Sequence, residues 1–447
     1  MKCLDVRSAE FESHFRELLG RGEMDMSEML PLVQGLLDDI RARGGSAVCE
    51  QVARFDSWSP RDFSELAISP AMCEAAYNTL DSKLKSALNL AYERITRFHE
   101  AHKPSSTLNY ESSGTMLGVR YTPMRRAGLY IPGGKAAYPS SVLMNAIPAL
   151  VAGVEEIILC TPAPHNELNP LLLAALHLCR ITHAYKVGGA SAIGLMAYGA
   201  QGCPRVDVIS GPGNIFVATA KKLVFGEVQI DMIAGPSEIA IIADSSANAR
   251  YIALDMLSQA EHDERASAIV LSDDGALLES VRGHIDTILP TMERESIARA
   301  SINNRAVMIH TRSLQESIEL ANALAPEHLE ILTASPFESL PHIRHAGAVF
   351  LGEYSSEPMG DYIAGPNHTL PTGGCSRFFS PLSVETFMKK SSVISISKQG
   401  FKELGESCVA LAQSEGLHAH AQAISERLDS FSSDSLLLDS IPKANNV

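Results

Sequence analysis

The middle of this sequence alternates short apolar runs with helical segments, and this alternation constrains the fold more than any other feature. The apolar runs lie at 127–131, 157–159, 185–187 and 206–209, and glycine turns stand where strands should lead into helices. Strand, turn and helix repeated in this order are typical of a parallel sheet with crossover helices. The pattern therefore predicts a parallel α/β unit over residues 128–236.

A second set of alternating elements follows directly. Its predicted elements are strands at 239–243, 268–271, 306–309 and 348–351, with helices at 246–262 and 313–323. A chain of 447 residues is long enough for two such units. We therefore predict a second α/β unit over residues 237–380, completed by part of the N-terminal region.

Both ends of the chain are predicted to be helical. Apolar residues between Met29 and Ile40 recur with the spacing of an amphipathic helix, and residues 1–120 are mostly of this character. After Pro381 the pattern becomes helical again, with 401–428 as the longest predicted helix.

The charge balance excludes some classes of function. The chain has 37 Lys and Arg against 52 Asp and Glu, a formal net charge of −15. An acidic surface of this size argues against a general affinity for nucleic acid or anionic membranes. The N-terminus lacks the regions of a secretory signal, and the eight cysteines show no C-x-x-C pair, which suits reduced thiols. We expect a cytoplasmic protein without nucleic-acid or membrane partners.

Gln259 and His262 are a candidate pair of metal ligands. On a helix these residues stand at i and i+3, so both side chains could face one ion. Histidine is a common zinc ligand, whereas glutamine is an uncommon one. A solvated acidic helix remains the alternative, because charge runs on helices usually face water.

Glu327 and His328 are candidates for acid–base chemistry. Histidine titrates near neutral pH, and a carboxylate can activate a water molecule. The alternative is a helix N-terminus, with Pro326 in the first turn and Glu327 interacting favourably with the helix dipole.

Residues 360–374 form the densest polar loop of the sequence. Glycine and proline provide tight turns, while Asp361, Asn367, His368 and Thr369 offer ligands or hydrogen-bond donors. A long loop with so many polar groups is more often functional than a plain connection.

The glycine turns at 133–134, 188–189 and 211–213 are candidates for an anion or nucleotide site. Backbone N–H groups at the start of a helix attract phosphate. None of these turns has the G-x-G-x-x-G pattern, so any NAD site must be built differently from the common one. Glycines that merely close the turns between strands and helices remain the alternative.

Taken together, these segments resemble the histidinol dehydrogenases, zinc-dependent enzymes that oxidise L-histidinol to L-histidine with NAD. The matching stretches are 128–134, 211–214, 233–238, 259–262, 326–330, 360–362 with 371–373, and 415–420. They follow one another in the order of the family, and their joint match is far more specific than any single motif.

The resemblance implies two incomplete Rossmann-like α/β domains with small helical N- and C-terminal extensions. Residues 1–127 and 237–380 would form the first domain, with the base and most zinc ligands. Residues 128–236 would form the NAD-binding domain. Residues 381–447 would form a helical arm that reaches the partner subunit, which implies a homodimer with sites completed across subunits.

The resemblance also implies roles for individual residues. Zinc, one ion per subunit, is assigned to Gln259, His262, Asp361 and His420, and the catalytic bases are Glu327 and His328. Substrate contacts are implied for Ser237, Gln259, His262, His328, Asp361, Glu415 and His420, and NAD contacts for Tyr130, Ser191 and Asn214. Ser191 departs from the family, which usually has Gln at this position, so we expect a weaker cofactor contact there but no loss of activity.

The implied reaction is a four-electron oxidation in the last steps of histidine biosynthesis. Zinc mainly orients the substrate, and His328 takes the alcohol proton as hydride leaves for NAD. Glu327 then activates a water that attacks bound L-histidinaldehyde, and a second NAD accepts the second hydride.

Three other functions remain as alternatives. The nearest is a related zinc and NAD dehydrogenase of another primary alcohol, such as a sulfonated diol. A zinc hydrolase would use Glu327 to activate water without a dinucleotide. A non-catalytic assembly protein would use zinc only for its structure.

Overall fold

The computed structural model describes residues 1–22, 24–133 and 139–439, with side chains described up to residue 431. Gly134, part of the first glycine turn, lies outside the described residues. The strands are β1 Lys2–Asp5, β2 Thr107–Tyr110, β3 Met116–Pro123, β4 Arg126–Tyr130, β5 Glu156–Thr161, β6 His183–Lys186, β7 Val208–Ser210, β8 Gln229–Ile230, β9 Glu238–Ala243, β10 Ser267–Ser272, β11 Val307–His310, β12 His328–Leu332, β13 Ala348–Leu351 and β14 Met388–Ser395.

The α-helices alternate with these strands through most of the chain. They are α1 Phe11–Leu19, α2 Met29–Arg43, α3 Gly45–Phe55, α4 Pro70–Thr79, α5 Ser82–Ala101, α6 Pro139–Ala152, α7 Pro170–Leu178, α8 Gly189–Tyr198, α9 Ile215–Val224, α10 Ala249–Ala260, α11 Gly275–Ile288, α12 Glu295–Arg305, α13 Leu314–Leu324, α14 Pro336–Ser339, α15 Glu357–Met359, α16 Lys398–Ser414 and α17 His418–Asp439. A π-helical turn, Gly360–Ala364, follows α15.

Two parallel sheets confirm the predicted α/β class. The first has six strands in the order β1-β11-β10-β9-β12-β13, so the N-terminal strand completes the sheet of the second predicted unit. The second has five strands in the order β6-β5-β4-β7-β8. In both sheets the central strands are buried almost continuously, as expected when helices cover both faces.

Apolar residues of the helices bury the faces of these sheets. Helices α10, α11 and α12 cover one face of the six-stranded sheet, and α1 and α13 cover the other. Helices α2 and α3 share their core with α8, α9 and the five-stranded sheet. Val33, Leu37 and Ile40 of α2 are buried there, as the amphipathic spacing predicts.

The chain divides into two compact units. The first, residues 1–103 and 123–387, contains both parallel sheets. The second, residues 104–122 and 388–447, contains the small sheet β14-β3-β2 and the packed helices α16 and α17. The domain boundaries at 127, 236 and 380 stay predictions. Within the described ranges, none of the helices combines the length and apolar character needed to cross a membrane.

The small sheet corrects the helical predictions for the two ends. The antiparallel pair β2 and β3 lies in the N-terminal segment, and β14 lies in the C-terminal arm. The predicted helix 401–428 is interrupted, because α16 ends at Ser414 and Gly416 has a φ of +73°, outside the right-handed helical region.

Candidate active site

The predicted catalytic pair lies where strands of the six-stranded sheet begin. His328 is the first residue of β12, and Glu327 directly precedes it. Because the sheet is parallel, β9 begins at the same edge, with Glu238 as its first residue and Ser237 just before it. The alternative interpretation of 326–330 as a helix start is therefore wrong, and Ser237 shares an edge with both predicted bases.

Glu238 orients both predicted bases through its own backbone. Its N–H donates to Oε2 of Glu327 at 2.9 Å, and its carbonyl oxygen accepts from Nδ1 of His328 at 3.1 Å. The carboxylate of Glu238 is buried, forms an ion pair with Arg21 and accepts the backbone N–H of Gly373. Glu238 is therefore held in place from two other segments of the chain.

The bond to Glu238 decides which nitrogen of His328 can act as a base. A carbonyl oxygen only accepts, so Nδ1 carries a proton and Nε2 is the nitrogen that can take up another. Nε2 lies 3.7 Å from Oδ1 of Asp361, longer than a hydrogen bond, and it is buried without a hydrogen-bond partner in the described part of the chain. His328 thus presents an unsatisfied nitrogen beside Asp361.

Burial and neighbouring charges shift the acid–base properties of these groups. Burial raises the pKa of Glu327 to about 8, because its carboxylate loses hydration. Burial alone would lower the pKa of His328, but the carboxylates of Glu327 and Asp361 outweigh it and raise that pKa to about 10. A divalent cation beside Asp361 would have the opposite electrostatic effect and lower the pKa of His328.

Three side chains from two segments of the chain bring metal-ligating atoms together. One ligand atom each of His262, Glu357 and Asp361 lies within 4.8 Å of the other two. Gln259 is on α10, but the helix ends at Ala260, so His262 lies in the following turn and not on the helix as the spacing predicted. Helix α10 connects β9 to β10 and therefore runs back to the edge where the strands begin. Its C-terminal end thus lies at the same edge as the predicted bases.

Asp361 reaches this edge through a close approach of the backbone to Phe350. A Cβ added at Gly360 would lie 2.7 Å from the Phe350 ring, a contact that real Cβ atoms do not make. Asp361 follows directly in the π-helical turn, a kind of segment frequent at functional sites.

The residues present fit a divalent cation such as zinc. An imidazole, carboxylates and a carboxamide oxygen together form a mixed nitrogen and oxygen donor set. Gln259 is fully buried, yet neither its Oε1 nor its Nε2 has a hydrogen-bond partner among the described residues. A buried amide without partners is costly, and coordination of an ion by Oε1 would offset part of that cost.

A cavity of about 750 Å³ opens beside His328, Asp361 and His368. Its other walls are largely apolar and include Phe98 and Phe350. Nδ1 of His368 lies 3.0 Å from the backbone oxygen of Asp361, and burial lowers the pKa of His368. The polar loop predicted to be functional therefore supplies side chains to a cavity large enough for a small molecule.

The residues predicted to contact NAD lie at the carboxyl ends of strands in the five-stranded sheet. The hydroxyl of Tyr130 accepts the N–H of Gly189 at 3.2 Å, and the Ser191 hydroxyl donates to Oε1 of Gln51 at 2.6 Å. Asn214 is exposed and caps α9. Their contact with NAD stays a prediction.

The turn before Asn214 is held by a buried ion pair. The side chains of Lys221 and Asp231 are almost completely buried and form an ion pair. Lys221 also donates to the carbonyl oxygen of Gly211, and Asp231 accepts the backbone N–H of Gly211. Gly211 has a φ of +119°, and a Cβ there would lie 2.0 Å from the Tyr130 carbonyl oxygen, so this turn requires glycine.

Glu415 and His420 belong to the second unit. Glu415 follows α16, and His420 lies in the first turn of α17. Both side chains are exposed in the single chain, as is that of the neighbouring His418. Their roles as substrate and zinc contacts stay predictions.

A parallel α/β fold with a buried acid–base pair beside metal-ligating side chains defines an enzyme. Residues 19–428 match the family model described as histidinol dehydrogenase. The histidinol dehydrogenase of Helicobacter hepaticus is 67% identical over 433 residues, covering 97% of this chain and 99% of that protein. The one from Wolinella succinogenes is 57% identical over 428 residues, covering 96% and 99%.

Solved structures agree with these sequence matches. The crystal structure of histidinol dehydrogenase from Elizabethkingia anophelis matches with a TM-score of 0.92 and 34% identity, covering 97% of this chain and 99% of that chain. The chain belongs to the histidinol dehydrogenase family and is an oxidoreductase, which confirms the resemblance inferred from its motifs.

Three residues at the site had no assigned role in the sequence. Arg21 and Glu238 act on the bases through partners far away in the chain, and Glu357 lies outside every motif that matched. The stretch 233–238 contains Glu238 and could have drawn attention to it. Arg21 and Glu357 had no comparable signal, because an isolated charged residue in sequence is usually solvated.

We predict that Gln259→Leu leaves the metal-free protein at least as stable as the unchanged protein. The substitution removes a buried amide without partners, whose burial costs about 1–3 kcal/mol. The same variant should gain less stability from added zinc, because ligand binding to the folded state stabilises it. Urea unfolding midpoints with a chelator and with excess zinc measure both effects.

Gln51→Leu is the matched control for this experiment. Gln51 is also buried, but its Nε2 donates to the Leu36 oxygen and its Oε1 accepts from Ser191. Its loss should cost about 1–3 kcal/mol with or without zinc. If Gln259→Leu destabilised the metal-free protein as much as Gln51→Leu does, Gln259 would be an ordinary structural residue.

Proposed function

We propose that this protein oxidises L-histidinol to L-histidine through L-histidinaldehyde, with two NAD molecules and one zinc ion per subunit. The observation that carries the proposal is the anchored pair Glu327 and His328 beside the metal-ligating cluster of His262, Glu357 and Asp361. The relatives named histidinol dehydrogenase support this substrate and a place in histidine biosynthesis.

Gln259, His262 and Asp361 would hold the zinc ion, with His420 as a further ligand. When bound, the ion supplies positive charge and coordination positions for the amine and imidazole nitrogens of the substrate. The protein's own contribution is orientation. Ser237 stands at the edge where β9 begins and would help to direct the alcohol toward His328.

His328 is proposed as the base of the first oxidation. Because Glu238 holds its Nδ1, Nε2 accepts the alcohol proton while hydride leaves the same carbon for NAD. This step removes one proton and one hydride, which carries two electrons, and L-histidinaldehyde is the product. Nε2 keeps one proton until solvent removes it.

Glu327 is proposed as the base of the second oxidation. Its carboxylate removes a proton from water, the oxygen adds to the aldehyde carbon, and hydride leaves that carbon for a second NAD, which gives the carboxyl group of L-histidine. Glu327 then releases its proton to solvent. A pKa of about 8 allows Glu327 to exchange protons near neutral pH. Since the two bases are adjacent in sequence, they can serve consecutive steps on a substrate that stays in place.

Tyr130, Ser191 and Asn214 are proposed to contact NAD. They lie where strands of the five-stranded sheet end and helices begin, the edge at which parallel sheets usually bind nucleotides. The Ser191 hydroxyl already donates to Gln51, which supports the expectation of a weak cofactor contact at this position.

The protein is proposed to be a cytoplasmic homodimer in which each subunit completes the other's site. Glu415 and His420 would contact substrate and zinc in the neighbouring subunit. Their exposure in the single chain supports this proposal, because exposed side chains are available to a second copy. The acidic net charge of −15 supports a protein without nucleic-acid partners.

We expect two NADH per L-histidinol consumed by metal-replete protein. Each oxidation transfers one hydride, and the aldehyde reacts further at the same site. Absorbance of NADH and quantification of histidine measure the ratio. A ratio of one with released aldehyde would contradict the two-step reaction, and turnover of a sulfonated diol but not histidinol would favour the related dehydrogenase.

We expect His328→Asn to reduce turnover by about 10²–10⁴-fold, the usual contribution of general acid–base catalysis. The asparagine amide can still donate to the Glu238 oxygen, but it cannot take up a proton. Turnover is measured together with zinc content, which should be retained. The exposed His342→Asn is the control, and near-normal turnover of His328→Asn would remove His328 as the base.

We expect a mixture of His262→Ala and His420→Ala proteins to recover activity. If sites are shared, a hybrid dimer has one intact site, so about a quarter of all sites become active at random exchange. Activity is measured after native mass spectrometry has shown subunit exchange. Hybrids without activity would contradict a shared site. If each site were built within one chain, the site of either subunit would contain the substitution of its own chain.

A further inference from the structure

Glu357 is a buried carboxylate for which the proposed reaction has no role. It begins α15 and is only 1% exposed. Its backbone N–H donates to Oε1 of Glu330 at 2.8 Å, and its Oε2 accepts from the Ser258 hydroxyl at 3.3 Å. Glu330 therefore holds the backbone of this residue, and Ser258 holds its carboxylate.

The distances place Glu357 among atoms that could share one ion. Ligand atoms of Glu357, His262 and Asp361 lie within 4.8 Å of one another. Oxygen and nitrogen ligands stand about 2.0–2.2 Å from zinc, so two ligands on opposite sides of the ion are about 4 Å apart. The three side chains need only a small adjustment to surround a common cation.

The buried amide of Gln259, in the last turn of α10, is an independent observation. Gln259 follows Ser258, whose hydroxyl contacts Glu357, and its amide atoms lack partners among the residues that the structure describes. Asp361 and Glu357 also place two carboxylates side by side in a buried environment, which is unfavourable without a positive charge. One divalent cation would satisfy the amide and both carboxylates together.

We propose that Glu357 is a further residue of the divalent-cation site and that its carboxylate binds the ion together with Gln259, His262 and Asp361. The proposal rests on the proposed function, because it requires a cation at this site. Four side chains of one chain would hold the ion, so zinc can bind before the partner subunit contributes His420.

The test measures zinc affinity and not activity. Metal-free protein competes for zinc with a chromophoric chelator, and Glu357→Gln is compared with Asp361→Asn and His420→Ala. The control is Glu353→Gln, an exposed carboxylate of the same segment. We expect Glu357→Gln to weaken zinc binding by at least about tenfold, more than His420→Ala does, while Glu353→Gln stays within about twofold.

Stability of the metal-free protein separates a ligand from a merely structural residue. Replacement of a buried carboxylate by the uncharged amide of similar shape should leave the urea unfolding midpoint in chelator unchanged or higher, while zinc affinity falls. A lower midpoint together with unchanged zinc affinity would overturn the proposal. If Glu357→Gln does not fold, Glu357→Asp keeps the charge but shortens the side chain, and unchanged zinc affinity in that variant would overturn the proposal equally.

The same variants test the role of Glu357 and the zinc site itself separately. If Asp361→Asn loses zinc affinity but Glu357→Gln keeps it, only the role of Glu357 is wrong. If Asp361→Asn also keeps the affinity of the unchanged protein, the zinc site of the proposed function is wrong as well.

Discussion

The candidate active site depends on the parallel pairing of β9 with β12. This pairing places the peptide groups of Glu238 next to Glu327 and His328, so one residue binds both predicted bases through its N–H and its carbonyl oxygen. The hydrogen bond to the carbonyl also fixes which imidazole nitrogen is available. A shift of register by one residue would move both side chains to the opposite faces of the sheet.

Buried negative charge is the second constraint on this site. Burial raises the pKa of Glu327 and of Glu357 to about 8, and it raises the pKa of Glu330 as well. Carboxylates are kept at such a cost mainly where they bind a cation or take part in chemistry. The same buried carboxylates would therefore favour a divalent ion, and the ion would in turn lower the pKa of His328, so that Nε2 is unprotonated near neutral pH and free to accept a proton.

The sequence predicted much of the scaffold because periodicity reports burial. The apolar runs corresponding to β4, β5, β9 and β10 and the helical spacing of α2 identified elements that the structure contains. The prediction was weaker where a short motif fits two structures. Pro326 and Glu327 suit a helix start, but the following residues pair with β9, and this tertiary contact makes His328 the beginning of a strand. The strands β2, β3 and β14 are largely exposed or partly buried, so no continuous apolar run marked them.

The sequence by itself determined the α/β class, the family and the positions of the motifs, because these depend on local spacing and on residue identity. Only the tertiary structure decided which of these residues meet. His262 is distant in sequence from Glu357 and Asp361, and its approach to them depends on where α10 ends and on how the chain passes Phe350 before Asp361. Likewise, Arg21 and Glu238 support the bases only because the fold brings a remote arginine to a buried carboxylate. Such contacts follow from the packing of whole elements, which local sequence patterns do not encode.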